Sequence, residues 1–443
     1  MLRQVRPFLF VFIYLFTASS FAADIREIRN YQAPDHVRVV LDLSSRIEYR
    51  LFMLSSPERL VVDIDRARLR ANVPDTFDAG SPIGKLRIGN KGDGTRVVFD
   101  LKRKVRPKTF LLPPSGQYGH RLVLDLYDSE QQSVSRQPAV KTRPAHTKGK
   151  ADWVVAIDAG HGGEDPGAIG KRYRTREKTV VLAIAKELYR QVNATKGMRA
   201  IMTRKSDYYV GLRKRSILAK DGAADVFISI HADAVPGKRA RGASVYAISE
   251  RGASDTISKY LANSENAADI AGGIVGAEVK DRTVRHVLYD LSMSKNIGWS
   301  LDFGKDVLKE VGKVSTLHRR TVGQAGFAVL KSAGTPSILV ETAFISNPAE
   351  EKKLRSRSFQ RKMAAGLLKG IKRFFARNYF PPRAATHYVR NKSKSSGRKE
   401  YVVRRGDSLT SIARKYNIHI ESLRFANNLS GSQLPVGRRL LIP

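Results

Sequence analysis

Four positions in the middle of this chain carry side chains that could do chemistry where a strand or turn would be better served by a neutral residue. His161 follows the apolar run WVVAID, within IDAGHGGEDPG (157–167), and His231 follows DVFISI, within SIHAD. Glu341 lies inside the otherwise apolar SILVETAF, and Glu177 opens TREKTVVLAIAKEL. The glycines around His161 can first be tested as a phosphate cradle. A dinucleotide loop needs G-x-G-x-x-G and a P-loop needs G-x-x-x-x-G-K-[ST]. Gly160, Gly162, Gly163 and Gly167 fit neither pattern, and Glu164 and Asp165 would repel phosphate.

A metal reading fits better. Two imidazoles and one carboxylate leave a fourth zinc position open to water, the pattern of a catalytic rather than a structural site. Small residues around His161 allow a tight turn toward a common centre, and Asp158 is placed to orient a ligand from behind. Plainer readings exist: a histidine at a strand end is often simply packed, and an acidic residue such as Glu177 stabilises a helix N-terminus by itself. Glu341 is harder to dismiss. Flanked by Ile338, Leu339, Val340 and Phe344, its carboxylate is costly to bury unless paired or functional. Beside a zinc ion it could serve as general base toward water and then as proton donor to a leaving amine.

The elements that must position these residues have an alternating texture. WVVAID (153–158), RAIMT (199–203), DVFISI (225–230), ASVYAI (243–248) and SILVETAF (337–344) read as strands. Helical stretches fall between them at Arg176–Val192, Gly211–Lys220, Leu301–Lys313 and Ser356–Asn378. Fully apolar strands alternating with helices predict an α/β domain, 151–378, with a parallel or mixed sheet covered on both faces. In such sheets functional groups collect just past the strands' carboxyl ends, which is where His161 and His231 fall.

The region 24–128 differs. One motif occurs there four times: RVVLDL (38–43), RLVVDI (59–64), RVVFDL (96–101) and RLVLDL (121–126). Short β-branched runs between Pro and Gly turns predict an all-β sandwich. Arg and Asp four apart project from one face of a strand, and cross-strand ion pairing is the expectation for them. No catalytic constellation accompanies them, so the region reads as a binding or targeting module. Polar, aperiodic stretches at 129–150 and 379–399 read as linkers. The last segment, 400–443, reads as a small α+β unit of strand, two short helices and strand, closed by Leu409, Ile412, Ala413, Tyr416, Leu423, Leu440 and Ile442.

Composition bounds the setting. Arg3 and Arg6 precede the apolar run Phe8–Phe16, and small residues follow. This layout predicts a secretory signal at 1–22, cleaved after Ala22 or Ala23, with no membrane span after cleavage. The chain has 0 cysteines, so each domain must be held by its own core. A formal charge of +38 points to polyanionic surroundings such as cell-wall carboxylates or anionic lipids. No nucleic-acid-binding signature accompanies the charge, so nucleic acid is not expected as a partner.

Taken together, IDAGHGGEDPGA, REK, SIHAD and ETAFISN, in that order across 153–376, resemble the zinc-dependent N-acetylmuramoyl-L-alanine amidases of bacterial cell-wall remodelling. The resemblance implies that His161, Glu177 and His231 bind one zinc ion and that Glu341 is the catalytic carboxylate. The implied substrate is the lactyl amide joining the N-acetylmuramic acid of peptidoglycan to L-alanine of the stem peptide. Thr175 stands where the family commonly has a glycine, which leaves Glu177 itself untouched. The β-rich region resembles the family's N-terminal division-site targeting domain. The last segment resembles a LysM module, with expected glycan contacts at Gly406-Asp407-Ser408-Leu409 and around Leu429–Leu434.

The stretch 250–300 holds amphipathic pieces that the sheet does not obviously need. They could be ordinary covering helices. Division-associated family members place a helix here that occludes the zinc until an activator of the division machinery removes it. The resemblance therefore implies a periplasmic, septum-enriched, autoinhibited enzyme, with Glu265, Glu278, Asp281 and Asp290 all open as the blocking carboxylate. The alternatives are a non-catalytic peptidoglycan-binding protein, or a zinc carboxypeptidase-like enzyme cutting within the stem peptide.

Overall fold

A computed structural model describes residues 23–74, 76–114, 118–129, 152–235, 240–249, 252–273, 286–331, 335–377, 400–416, 423, 427 and 434–441. The expected signal segment, almost all of both expected linkers, and Leu429 to Gln433 lie outside them. Two compact units divide at Ser135/Arg136.

The first unit is all β. Its strands are β1 (Ala23–Gln32), β2 (His36–Leu43), β3 (Tyr49–Leu54), β4 (Arg59–Ile64), β5 (Ala67–Leu69), β6 (Ile83–Lys91), β7 (Gly94–Leu101), β8 (Val105–Leu112) and β9 (His120–Asp128). They form two sheets, ordered β5-β1-β2-β9-β8 and β3-β4-β7-β6. Alternate residues of both sheets, among them Val39, Leu41, Leu60, Val62, Val97, Phe99, Leu122 and Leu124, make one shared core.

The four repeats are β2, β4, β7 and β9, and they pair antiparallel as β2 with β9 and β4 with β7. Arg38 then faces Asp125 and Asp42 faces Arg121, while Arg59 faces Asp100 and Asp63 faces Arg96. The four-residue spacing explains the register: two copies run head to tail place unlike charges opposite at both ends. Arg38 donates to both Asp125 oxygens at 2.6 and 2.7 Å, and Arg96 to both Asp63 oxygens at 2.6 and 2.8 Å. Elsewhere a neighbouring strand takes over, with Arg29 on Asp42 and Arg87 on Asp100. The motif is structural, as its spacing implies.

The second unit is built on β10 (Trp153–Ala159), α1 (Glu177–Asn193), β11 (Met198–Met202), α2 (Leu212–Asp221), β12 (Val226–His231), β13 (Ser244–Ile248), α3 (Thr256–Asn266), α4 (Ala268–Ala271), α5 (His286–Val311), β14 (Gly323–Ala325), β15 (Ser337–Glu341), α6 (Pro348–Leu354) and α7 (Arg357–Arg377). The sheet order is β11-β10-β12-β15-β13-β14. The first four of these strands are parallel, and β13 runs antiparallel to β15. Val155 and Ile157 face one core and Val154 and Ala156 the other, so both faces are covered. That is why apolar residues dominate these strands on both faces. The helix expected from Leu301 begins fifteen residues earlier, at His286. The amphipathic piece at its N-terminal side holds α3 and α4.

The last segment contains β16 (Glu400–Val402), α8 (Leu409–Lys415) and β17 (Arg439–Leu441), around Tyr401, Val403, Leu409, Ile412, Leu423 and Leu440. Ala413 and Ile442 of the expected core, and most of the second expected helix, lie outside the described side chains. Asp407 is committed internally, accepting from the Tyr401 hydroxyl and the Arg404 amide at 2.7 Å each.

Candidate metal centre

Parallel pairing of β10, β12 and β15 brings their carboxyl ends to one level, with His231 directly opposite Glu341 in the ladder. His161 lies two residues beyond β10, with φ at +60°, a left-handed conformation uncommon outside glycine that its surroundings must hold in place. Two buried arginines do so. Arg204 donates to the carbonyls of Ala159 and Gly160 at 2.9 and 2.8 Å. Arg215 donates to those of Ala159 and His161 at 2.7 and 3.0 Å, and to Asp158 at 2.9 Å. Gly160 is required because a side-chain carbon there would collide with the His231 ring. Gly167 is required because one would lie 2.6 Å from His161 Cδ2 and 2.7 Å from Glu177 Oε2.

The sequence-expected ligands converge. His161 Nε2 lies 3.2 Å and His231 Nδ1 3.3 Å from Glu177 Oε1. A fourth group joins them: Glu265 Oε2, from α3, is 3.6 Å from His161 Nε2 and 3.0 Å from His231 Nδ1. One ligand atom from each of the four residues lies within 4.8 Å of the others, and all four residues are buried. Of the carboxylates left open at 250–300, Glu265 is the one the structure brings here. Glu278 and Asp281 lie outside the described residues, and so does the side chain of Asp290.

Each imidazole is oriented from behind. His161 Nδ1–H donates to Asp165 Oδ2 at 2.7 Å. Ser229 Oγ–H donates to Asp158 Oδ2 at 2.6 Å, so its oxygen accepts from His231 Nε2–H at 3.1 Å. Asp158 thus orients a metal-facing residue as expected, acting on His231 through a serine, while Asp165 holds His161 directly. The other ring nitrogens, His161 Nε2 and His231 Nδ1, are buried without a hydrogen-bond partner and face the centre. Glu177 is fixed too, accepting from the Ala232 amide at 2.7 Å and the Ala168 amide at 2.9 Å.

The electrostatics describe a cation site. Burial opposes charging His161, yet the carboxylates of Asp165, Glu177 and Glu265 outweigh it and hold the imidazole well above its ordinary value. Burial likewise opposes charging His231, but Glu265 and Glu177 push it up to about 10. Burial would raise Glu177, but the two imidazoles hold it well below the usual carboxylate range. The carboxylates here outnumber the imidazoles, and a divalent cation at the convergence point would take the place of the protons they attract.

Glu341 stands beside this group. Its Oε2 accepts from the Asp233 amide at 2.8 Å, while its Oε1 is buried without a partner. Burial, with the charges of Glu177 and Glu265, pushes it up to about 8 against the pull of His231. Burial and the carboxylates of Glu265, Glu177 and Glu341 drive Asp233 well above its ordinary value.

A further pair escaped the sequence reading. Glu350 and Glu351, nine and ten residues past Glu341, lie in the first turn of α6 and grip loops on two sides. Glu350 accepts from the Gly242 amide at 2.7 Å. Glu351 accepts from the amides of Arg172, Tyr173 and Thr175 at 3.1, 3.0 and 3.0 Å, and so fixes the segment that leads into Glu177.

A mixed α/β sheet whose parallel strand ends gather two imidazoles and a carboxylate, beside another buried carboxylate, defines a single-metal hydrolase. Residues 155–373 match the N-acetylmuramoyl-L-alanine amidase family, residues 20–126 an AMIN domain and residues 401–443 a LysM domain. The chain is 41% identical over 373 residues to N-acetylmuramoyl-L-alanine amidase AmiC of Escherichia coli O6:H1, covering 79% of this chain and 89% of that protein. It is 37% identical over 372 residues to AmiC of Neisseria meningitidis serogroup B, covering 78% and 88%. With AmiA of Escherichia coli K12 it shares 43% over 249 residues, covering 55% and 85%. The chain belongs to the N-acetylmuramoyl-L-alanine amidase family and is an enzyme that hydrolyses peptidoglycan.

Proposed function

We propose that the metal is a single zinc ion held by His161 Nε2, His231 Nδ1 and Glu177, and that Glu341 is the catalytic carboxylate for cleavage between N-acetylmuramic acid and L-alanine. The observation that carries this reading is the pair of buried imidazole nitrogens, lying 3.2 and 3.3 Å from Glu177 Oε1 and each aimed by a hydrogen bond on the far side of its ring. That donor set suits zinc. When bound, the ion supplies Lewis acidity, polarising the scissile carbonyl and making water easier to deprotonate. Glu341 takes the water's proton at Oε1, the oxygen with no other partner, while the Asp233 amide holds Oε2 in place. It returns the proton to the departing amine of L-alanine. A carboxylate lifted toward neutrality by burial suits both halves of this work.

Glu265 competes for the position a water must occupy, so the described conformation is an inhibited one. In this reading an activator of the division machinery draws α3 away. The LysM module binds the glycan, the AMIN domain directs the enzyme to the septum, and the chain acts in the periplasm in daughter-cell separation after export. No helix among the described residues is long and apolar enough to cross a membrane. The catalytic assignment is tested with Glu341→Ala. The variant should retain one zinc per chain and release no peptide; turnover near the parent rate would remove Glu341 from the mechanism.

A further inference from the structure

The segment between the first histidine and Glu177 is a hairpin. Ile169 bridges Arg176, and the Gly170 amide donates to the Thr175 carbonyl at 2.9 Å. At its base the Ala168 amide donates to Glu177 Oε2 and the Glu177 amide to the Ala168 carbonyl, each at 2.9 Å. The hairpin therefore grows directly out of the metal centre.

Its tip is unlike an ordinary solvated turn in two respects. The first is rigidity. Glu351 is buried beneath it and accepts from three tip amides. Gly170 leaves room for that carboxylate, since a side-chain carbon there would collide with it. Burial would raise Glu351, but the amides hold it below the usual carboxylate range, so a full negative charge is committed to backbone. The second is unbalanced charge. Lys171, Arg172, Arg174 and Arg176 on the hairpin and Arg355 after α6 are all exposed. No carboxylate among the described residues forms an ion pair with any of them. Arg355 and Arg172 instead lie against one exposed ring, Tyr173, at 4.6 and 5.5 Å from its centroid. A ring that holds two guanidiniums without neutralising them fixes their positions and leaves their N–H groups available.

The family's substrate supplies the complementary group. The leaving half of the cleaved amide is a peptide, which carries at least the carboxylate of its C-terminus. A strand rise of about 3.3 Å per residue puts Lys171 roughly 10 Å beyond Ala168. An extended peptide covers about the same distance in three residues. We infer that the hairpin tip, with Arg172 and Arg355 set on Tyr173, is a subsite that receives a carboxylate of the stem peptide two to three residues beyond the cleaved bond. The inference rests on the metal centre being the place of cleavage.

The test uses equilibrium binding in chains that all carry Glu265→Ala, so it depends neither on turnover nor on occlusion of the centre by α3. The full zinc-loaded chain is titrated at low salt with a sugar-free stem tripeptide bearing free carboxylates, and with its fully amidated counterpart. Leaving out the sugar removes any contribution from glycan binding by the LysM module. The parent should prefer the free acid by about tenfold or more, a preference that added salt erodes. The double variant Arg172→Glu, Arg355→Glu should lose that preference, and Arg355→Lys should keep most of it, with thermal midpoint and zinc content reporting an intact fold. A parent without preference, or a double variant that retains it, would overturn the assignment. Failure of the cleavage reading would show separately, as sacculi from which no stem peptide is released.

Discussion

Glu265 Oε2 lies 3.0 Å from His231 Nδ1, although the two residues come from different layers of the domain, a surface helix and a sheet strand. The carboxylate is buried in one cluster with His161, His231 and Glu177. Under the proposed function, a carboxylate in that position competes with water and substrate together.

Removing that carboxylate should release the enzyme. Glu265→Ala is expected to raise the rate of peptide release from purified sacculi by about 5- to 150-fold, the range of a typical coupling between sites. A rate equal to the parent's would make α3 a covering helix and nothing more.

The hydrogen bond from His161 to Asp165 should matter to metal retention. Asp165→Ala leaves the imidazole free to rotate and is expected to weaken zinc binding by about 10- to 100-fold, the usual cost of losing such an orienting partner. Competition with a chromogenic chelator measures this directly. Unchanged zinc affinity would show that Arg204 and Arg215 hold the turn without Asp165.

Most of the centre was legible in the sequence for one physical reason. In a sheet covered on both faces, a polar group at the end of an apolar run stands out, and His161, His231 and Glu341 are such groups. The Arg-x-x-x-Asp spacing of the repeats likewise announced paired strands. Glu265 could not be separated from Glu278, Asp281 and Asp290, because the choice depends on where α3 crosses the sheet. Arg204 and Arg215 were hidden for a different reason. Among 79 lysines and arginines, no local pattern marks the two that turn inward to hold a strained backbone. Glu350 and Glu351 carry no distinguishing local pattern, and the amides they hold are far away in the chain.

The ion pairs of the first unit make its stability depend on acid. The Arg96 hydrogen bond outweighs burial and, with Lys91, holds the Asp63 carboxyl well below the usual carboxylate range. A carboxylate lowered on folding contributes stability above its unfolded value, near about 4, and the contribution is lost as pH falls from there toward the folded value. Hydrogen-exchange protection of β4 and β7, taken relative to the intrinsic amide rate at each pH, should therefore fall below about pH 4. Asp63→Asn should cost about 1–3 kcal/mol at neutral pH and flatten that dependence. Acid-insensitive protection in the parent would contradict the assignment.

Metal removal separates binding from folding. Zinc at a hundredfold excess over its dissociation constant should stabilise the second unit by about 2.7 kcal/mol, seen as a higher unfolding midpoint of that unit. His161→Ala should abolish most of the shift. A shift that survives in the variant would place the metal elsewhere.

The most direct test of the account is the chemistry of the released products. Purified sacculi are digested with the full chain carrying Glu265→Ala, and the soluble fragments are sequenced from their amino ends. The expected products are stem peptides that begin with a free L-alanine amine, together with glycan strands stripped of peptide. Peptides cut internally, with L-alanine still joined to the muramic acid, would contradict it.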